Sequence, residues 1–124
     1  MLALVTFLVP DYEDGLRFFV DGLGWTCLGD EDQGRKRRVT VAPTGGGTGL
    51  VLALPTTARQ SAALGGQTGD RVGFFLETRD FDADAGRIIA AGGTFLEAPR
   101  LEPYGKVAQW RDPWGNLWDL IERP

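Results

Sequence analysis

An internal repeat is the feature that most constrains how this chain can fold. A shift of 69 residues places Asp11 on Asp80 and brings two stretches of the same pattern into register. The other matched positions are Tyr12 with Phe81, Leu16 with Ala85, Phe19 with Ile88, Val20 with Ile89 and Gly24 with Gly93. In each copy an Asp that can cap a helix follows a run of strand-forming residues, and glycines follow an apolar helical stripe. The repeat therefore predicts two modules with one common fold.

Each module is predicted to contain one strand, one helix and three further strands. In the first module, residues 1–55, the strands are 2–9, 25–28, 35–42 and 50–54, with a polar loop at 29–34. In the second module, residues 71–124, they are 72–78, 94–97, 106–111 and 117–122, and residues 56–70 form a linker. Since neither module can bury its sheet alone, we expect a single α+β domain. A curved, mostly antiparallel sheet of about eight strands should surround a cavity, with both helices on its outer face.

Composition excludes several classes of function. The 124 residues include one cysteine, Cys27, and no histidine, so an intramolecular disulfide, a thiolate zinc cluster and a His-activated nucleophile are excluded. Thirteen basic and seventeen acidic residues give a net charge of −4, which argues against nucleic acid as a partner. The apolar residues before Pro10 lack a basic leading region, so we expect a first strand and neither a signal peptide nor a membrane span. These features predict a cytoplasmic protein.

The most informative carboxylate follows the clearest hairpin turn, Asp112-Pro-Trp-Gly-Asn. Beyond this turn, strand alternation places Leu117, Asp119 and Ile121 on one face and Trp118 and Leu120 on the other. An ionised carboxylate between apolar neighbours is costly unless a cation, a hydrogen-bond donor or a water-filled pocket receives it. Asp119 is therefore either a binding-site residue or an Asp at a solvated sheet margin.

Aromatic and charged residues supply further candidates. An offset pairing across the hairpin would place Trp110 beside Leu117 and facing a pocket, although core or dimer packing is the alternative for the tryptophans. Phe75 is a second stacking surface, and Glu77 shares its face. The basic run 35–38 alternates along a strand and so forms no continuous basic face, which favours a charged edge strand. Arg37 could still reach the cavity and neutralise an anion.

The repeat and its motifs resemble the vicinal oxygen chelate superfamily, which contains glyoxalase I, extradiol dioxygenases, fosfomycin-resistance enzymes and bleomycin-resistance binding proteins. The resemblance rests on residues 9–12, 16–19, 23–25, 91–93, 111–116 and 119–122. It implies that the metal positions of the family's enzymes correspond here to Leu4, Leu52 (or Val51), Gly73 and Asp119. Of these only Asp119 can bind a metal, so neither a metal nor a cofactor is expected.

By resemblance, we expect a metal-independent binding protein that sequesters a small aromatic drug or metabolite and forms a homodimer. Asp119 would be the polar partner of the ligand, Trp110 and Phe75 the stacking surfaces, and Leu52 and Leu117 part of the apolar floor. Two alternatives remain open. One is a lyase or isomerase in which Asp119, with Glu77, acts as general base or joins an oxygen-ligand Mg²⁺ or Mn²⁺ site. The other is an assembly subunit whose cavity is filled by side chains.

Overall fold

The computed structural model describes residues 1–124 as two compact units, residues 1–64 and residues 65–124. The strands are β1 Leu4–Leu8, β2 Thr26–Asp32, β3 Arg37–Ala42, β4 Gly49–Ala53, β5 Phe74–Thr78, β6 Thr94–Phe95, β7 Arg100–Glu102, β8 Gly105–Arg111 and β9 Leu117–Glu122. The helices are α1 Tyr12–Leu16, α2 Ala58–Ala63 and α3 Phe81–Ala90, and a π-helical segment, Arg17–Gly22, directly continues α1. None of these helices has the length and apolar character needed to cross a membrane.

The two units repeat one topology. In the first unit the strand order is β1-β4-β3-β2, and β1 runs parallel to β4. In the second unit the order is β5-β9-β8-β6, and β5 runs parallel to β9. The remaining neighbours are antiparallel. The predicted α+β class and the internal repeat are therefore confirmed.

The number and grouping of the strands differ from the expectation. The structure has nine strands in two sheets, of four and five strands, where about eight in one sheet were expected. The extra strand arises because β6 and β7 both pair with β8 and are separated by residues 96–99. Pro99 has no amide hydrogen to donate to the ladder, so the pairing is interrupted next to it.

The helix of the first unit packs closely on its sheet. Asp11 caps α1 as predicted, because its carboxylate accepts a hydrogen bond from a first-turn amide at 3.0 Å. A Cβ atom at Gly15 would lie 2.7 Å from Cδ1 of Leu52, so this position requires a glycine-sized residue. In the π-helical segment the consecutive residues Phe18 and Phe19 are both buried. The predicted stripe had α-helical spacing and did not include Phe18, because the wider π turn changes which side chains face the sheet.

The acidic stretch 30–32 is the end of strand β2 and not the predicted loop. Its residues pair with Val39, Arg38 and Arg37 across the β2–β3 ladder. Opposite charges face each other at two of these positions, which supports strand pairing in a sequence with few β-forming residues. The hairpin is consequently longer and its turn shorter than the sequence indicated.

The hairpin between β8 and β9 is organised by Asp112. Its Oδ1 accepts hydrogen bonds from the backbone amides of Trp114, Gly115 and Asn116, at 2.9–3.0 Å. Its Oδ2 accepts from the side chains of Asn116 and Trp118, both at 2.9 Å. Gly115 has a φ of 113°, a conformation that favours glycine. The predicted role of Asp112 as an acceptor in the turn is confirmed.

The boundary between the two compact units lies within the predicted linker, residues 56–70. This stretch contains helix α2, which the sequence did not predict. Thr57 caps it by accepting from the amide of Gln60 at 3.1 Å. No residue of α2 is buried, and a helix without a buried face has no apolar periodicity to detect.

Candidate functional site

Asp119 lies on the face of the second sheet that points away from α3. Residues directly opposite each other in neighbouring strands share a face. Asp119 is opposite Gln109 in β8 and Phe75 in β5. We call this surface the Asp119 face and define it by Phe75, Glu77, Gln109, Leu117, Asp119 and Ile121. The predicted alternation along β9 is confirmed, because Trp118 and Leu120 lie on the other face and are buried.

The prediction that Trp110 shares the face of Asp119 is wrong. Trp110 lies directly opposite Trp118 in the ladder, and the two rings stack with centroids 4.9 Å apart and an interplanar angle of 20°. Its side chain is fully buried, at 0% exposure. The pairing of β8 with β9 continues in register from the turn, so no offset exists to bring Trp110 beside Leu117 and Asp119.

Asp119 carries a carboxylate oxygen without a hydrogen-bond partner. The residue is 8% exposed, and its Oδ1 is buried and accepts no hydrogen bond. Burial raises the pKa of Asp119 above its usual value. The nearby Arg100 guanidinium lowers this pKa, and the Glu97 carboxylate raises it further. Buried polar atoms in proteins nearly always have a partner, since leaving one unpaired costs about 1–3 kcal/mol. The Asp119 face therefore presents an acceptor that a ligand donor or cation would satisfy.

Sequence reasoning missed the charged residues close to Asp119. Arg100 forms ion pairs with Glu97 and with Glu102, the latter at 3.0 Å. Glu97 also accepts a hydrogen bond from the backbone amide of Gln109 at 2.8 Å, next to the interruption between β6 and β7. Two carboxylates already engage Arg100, so its guanidinium only partly offsets the charge of Asp119. The alternating charges of Glu97, Arg100 and Glu102 around Pro99 were the available sequence signal.

Phe75 and Leu117 are the apolar residues beside Asp119. Phe75 is 64% exposed although it is aromatic, and it lies directly across from Asp119. Leu117 is half-buried on the same face. Glu77 lies further along β5 and pairs with Arg123. The structure thus brings together Asp119, Phe75 and Leu117, while Glu77 is engaged elsewhere.

Leu52 and Arg37, the two candidates from the first unit, have structural roles there. Leu52 is 2% exposed and packs towards Gly15 of α1. It shares this face of the sheet with Val39, its partner in the ladder, whereas Val51 points to the opposite face. Arg37 forms a bidentate pair with Asp30, both bonds at 2.7 Å, and a further bond to Glu13 at 2.6 Å. The hydrogen bonds from the Arg37 guanidinium lower the pKa of Asp30.

The model of the Glyoxalase/Bleomycin resistance protein/Dioxygenase superfamily matches residues 2–120. The chain belongs to this superfamily. The resemblance seen in the motifs is confirmed. A further relative is an uncharacterized protein of Shewanella frigidimarina (strain NCIMB 400), which is 37% identical over 121 residues, covering 95% of this chain and 90% of the relative.

Two solved structures match along nearly the whole chain. TnmS3, an antibiotic binding protein from Streptomyces sp. CB03234, is 30% identical with a TM-score of 0.79, covering 100% of this chain and 96% of that one. A superfamily member from Sphaerobacter thermophilus DSM 20745 is 31% identical with a TM-score of 0.74, covering 99% of this chain and 97% of that one. The fold and the superfamily are therefore shown by sequence and by structure.

The metal-binding arrangement that the superfamily's enzymes use does not fit the residues of this chain. In the structure, no group of three or more His, Cys, Asp or Glu side chains could hold a metal ion. The carboxylates of Glu97 and Glu102 near Asp119 are committed to Arg100.

Proposed function

We propose that this protein binds and sequesters a small aromatic molecule that carries a cationic or hydrogen-bond-donating group, and that it does so without a metal. The observation that carries the proposal is the buried, unpartnered Oδ1 of Asp119 beside the exposed ring of Phe75. An aromatic ligand would stack on Phe75. Its donor or cation would supply the missing partner of Asp119.

The charges around Asp119 favour a cationic group over an anionic one. Asp119, Glu97 and Glu102 bring three carboxylates to the vicinity of one guanidinium, that of Arg100. A bound cation would be attracted by the excess of negative charge, and burial from water would strengthen that attraction. The binding of an antibiotic by TnmS3, which is 30% identical over the full length, supports a ligand of drug-like size.

One observation favours a second function, a lyase or isomerase. The pKa of Asp119 is raised by burial, and a carboxylate with a raised pKa is a better general base near neutral pH. In this alternative Asp119 would remove a proton next to a carbonyl group of the ligand. The two functions are separated by whether the bound molecule leaves the protein chemically unchanged.

The test uses metal-stripped protein and sets of aromatic compounds that share one scaffold and differ only in a cationic, neutral or anionic substituent. Binding is measured by thermal shift and by titration calorimetry. We expect the cationic member to bind best and to raise the melting temperature by several degrees. Asp119→Asn should weaken its binding about tenfold or more, a change of about 1.4 kcal/mol or more. Phe75→Ala should weaken all three members.

Asp70→Asn is the matched control. Asp70 is exposed and forms no ion pair, and its substitution removes the same negative charge as Asp119→Asn. It should bind like the wild type. Equal binding by wild type and Asp119→Asn would refute the role of Asp119, and a strict requirement for Mg²⁺ or Mn²⁺ would refute metal independence. Conversion of the ligand, detected by mass spectrometry and abolished in Asp119→Asn, would establish the enzyme instead.

The homodimer expected from the resemblance is part of this proposal. Sedimentation velocity across a range of protein concentrations, with and without the best ligand, tests it directly. A single monomeric species under all conditions would contradict it.

A further inference from the structure

A cleft in the first unit lies between the start of β3 and the end of β4. The ladder between these strands ends at the pair Val39 and Leu52, and no further pair joins β3 to β4 towards Arg37 and Ala53. The resulting cavity has a volume of about 510 Å³ and is lined by residues 35–38 on β3 and the preceding turn, and by residues 51–54, with Tyr12 and Thr56. We call it the basic cleft. Its volume is within the range that holds drug-sized molecules.

The four consecutive basic residues 35–38 all line this cleft, contrary to the expectation that alternation would scatter them. Strand β3 begins only at Arg37, so Arg35 and Lys36 lie in the turn, where the two-residue alternation does not apply. The predicted edge strand is also wrong, since β3 lies between β4 and β2 within the sheet. The charges are therefore concentrated at one cavity.

One of these four cations forms ion pairs and the other three do not. Arg37 is held by Asp30 and Glu13, and Tyr12 donates a hydrogen bond to its backbone carbonyl at 3.0 Å. By contrast, Arg35, Lys36 and Arg38 form no ion pair. Glu31 lies opposite Arg38 in the ladder without forming an ion pair with it. No acidic side chain lines the cavity.

The other wall of the basic cleft is apolar. It consists of residues 51–54, which are Val, Leu, Ala and Leu. Leu52 is 2% exposed, so a molecule that fills this cavity buries its apolar body mainly against Val51, Ala53 and Leu54 and places an anionic group among the cations. We infer that the basic cleft is a second binding site, for a small amphipathic anion such as an aromatic or aliphatic carboxylate, sulfonate or phosphate monoester.

The test compares two fluorescent probes that differ in one group. The anionic probe is 8-anilinonaphthalene-1-sulfonate, and N-phenyl-1-naphthylamine is the same molecule without the sulfonate. We expect the wild type to bind the sulfonate at least fivefold more tightly, with a preference that falls as salt rises. The double variant Arg35→Gln/Arg38→Gln should weaken sulfonate binding at least fivefold and leave the neutral probe unchanged. Ala53→Phe, which fills the cleft without changing charge, should weaken both probes.

Two controls separate binding in the basic cleft from binding elsewhere on the protein. Arg59→Gln/Arg79→Gln removes the same charge at positions outside the cleft and should bind like the wild type. Arg35→Gln/Arg38→Gln should weaken sulfonate binding by the same factor in the wild type and in Asp119→Asn, so this inference succeeds or fails independently of the Asp119 face. Laurate and phenyl phosphate should displace the sulfonate probe.

Several results would overturn the inference. One is equal affinity of the two probes for the wild type, and another is sulfonate binding that survives both the double variant and Ala53→Phe. Displacement by an RNA oligonucleotide or by inorganic phosphate as effectively as by laurate would show a plain polyanion or phosphate surface instead. Thermal unfolding of each variant confirms that it is folded before binding is compared.

Discussion

Two buried aspartates of the second unit have opposite environments. Asp112 is 3% exposed and accepts five hydrogen bonds, from three backbone amides and two side chains. Asp119 is 8% exposed, and its Oδ1 accepts none. Burial raises the pKa of both, but the hydrogen bonds to Asp112 counteract the effect. Asp112 therefore stabilises a turn, whereas Asp119 has an unused acceptor that suits a ligand.

The raised pKa of Asp119 predicts a pH-dependent gain in stability on Asp119→Asn. The folded protein holds this proton more tightly than the unfolded chain, whose Asp pKa is about 3.9. Below the unfolded pKa the carboxyl group is protonated in both states and does not lower the free energy of unfolding. As the pH rises from the unfolded pKa towards the higher folded pKa, ionisation of this group lowers the free energy of unfolding progressively. At pH 7 the variant should melt at a higher temperature than the wild type, and this difference should shrink towards pH 3.

Differential scanning calorimetry of both proteins from pH 3 to pH 8 measures this prediction. Asp70→Asn is the control, because Asp70 is exposed and its replacement should produce no comparable difference. A variant that is less stable than the wild type at pH 7 would show that the Asp119 carboxylate is satisfied in solution.

The helices of the two units each contain a glycine, and the two glycines have different surroundings. At Gly15 in α1 a Cβ atom would lie 2.7 Å from Cδ1 of Leu52 and 3.2 Å from Cγ1 of Val9. At Gly86 in α3 an added Cβ atom would meet nothing within 4 Å. Gly15 is therefore buried against the sheet, whereas Gly86 lies on the exposed side of α3.

This difference predicts opposite effects for the same substitution. Gly86→Ala should stabilise the protein by about 0.4–1 kcal/mol, because alanine restricts the unfolded chain and favours helix. Gly15→Ala should destabilise it by about 1–3 kcal/mol, since Leu52 is buried and cannot move away without disturbing the core. Chemical denaturation of the two variants, with the wild type in parallel, gives both values. Stabilisation by Gly15→Ala would show that α1 can shift outwards at little cost.

Local features of these elements were predictable, and features that depend on register between strands were not. The caps at Asp11 and Asp80 and the alternation along β9 follow from spacing within a few residues. The face of Trp110 depends on how β8 aligns with β9, because a slip of one residue reverses every side chain. The proximity of Arg100 to Asp119 depends on the interruption between β6 and β7, which no periodicity reveals.

At the scale of the whole molecule, the negative charge is unevenly divided. Residues 65–124 contain ten acidic and seven basic side chains, whereas residues 1–64 contain seven and six. The more negative unit carries the Asp119 face, and the nearly balanced unit carries the basic cleft. The overall repeat was predictable because its sequence pattern occurs twice in the chain. The cleft was not predictable, because it lies where the ladder between β3 and β4 ends.

The acidic composition predicts a solubility minimum near the isoelectric point of about 4.7. The double variant Asp21→Lys/Asp70→Lys changes two exposed positions and raises the net charge from −4 to about zero at pH 7. Its solubility minimum should move towards neutral pH. Turbidity measured from pH 3 to pH 9 tests this shift, and an unchanged minimum would show that one surface patch, and not net charge, controls association.

The parallel pairing of the first and last strands of each sheet has a consequence during synthesis on the ribosome. Leu4 lies opposite Gly49, and Phe74 lies opposite Trp118. The strand that pairs with β1 or β5 is therefore synthesised about 45 residues later. At 5–20 residues per second that delay is roughly 2–9 s. Throughout this interval the nascent chain presents an unpaired strand that cannot yet be covered. The first strand of each unit therefore stays available for aggregation until the last strand of that unit leaves the ribosome and pairs with it.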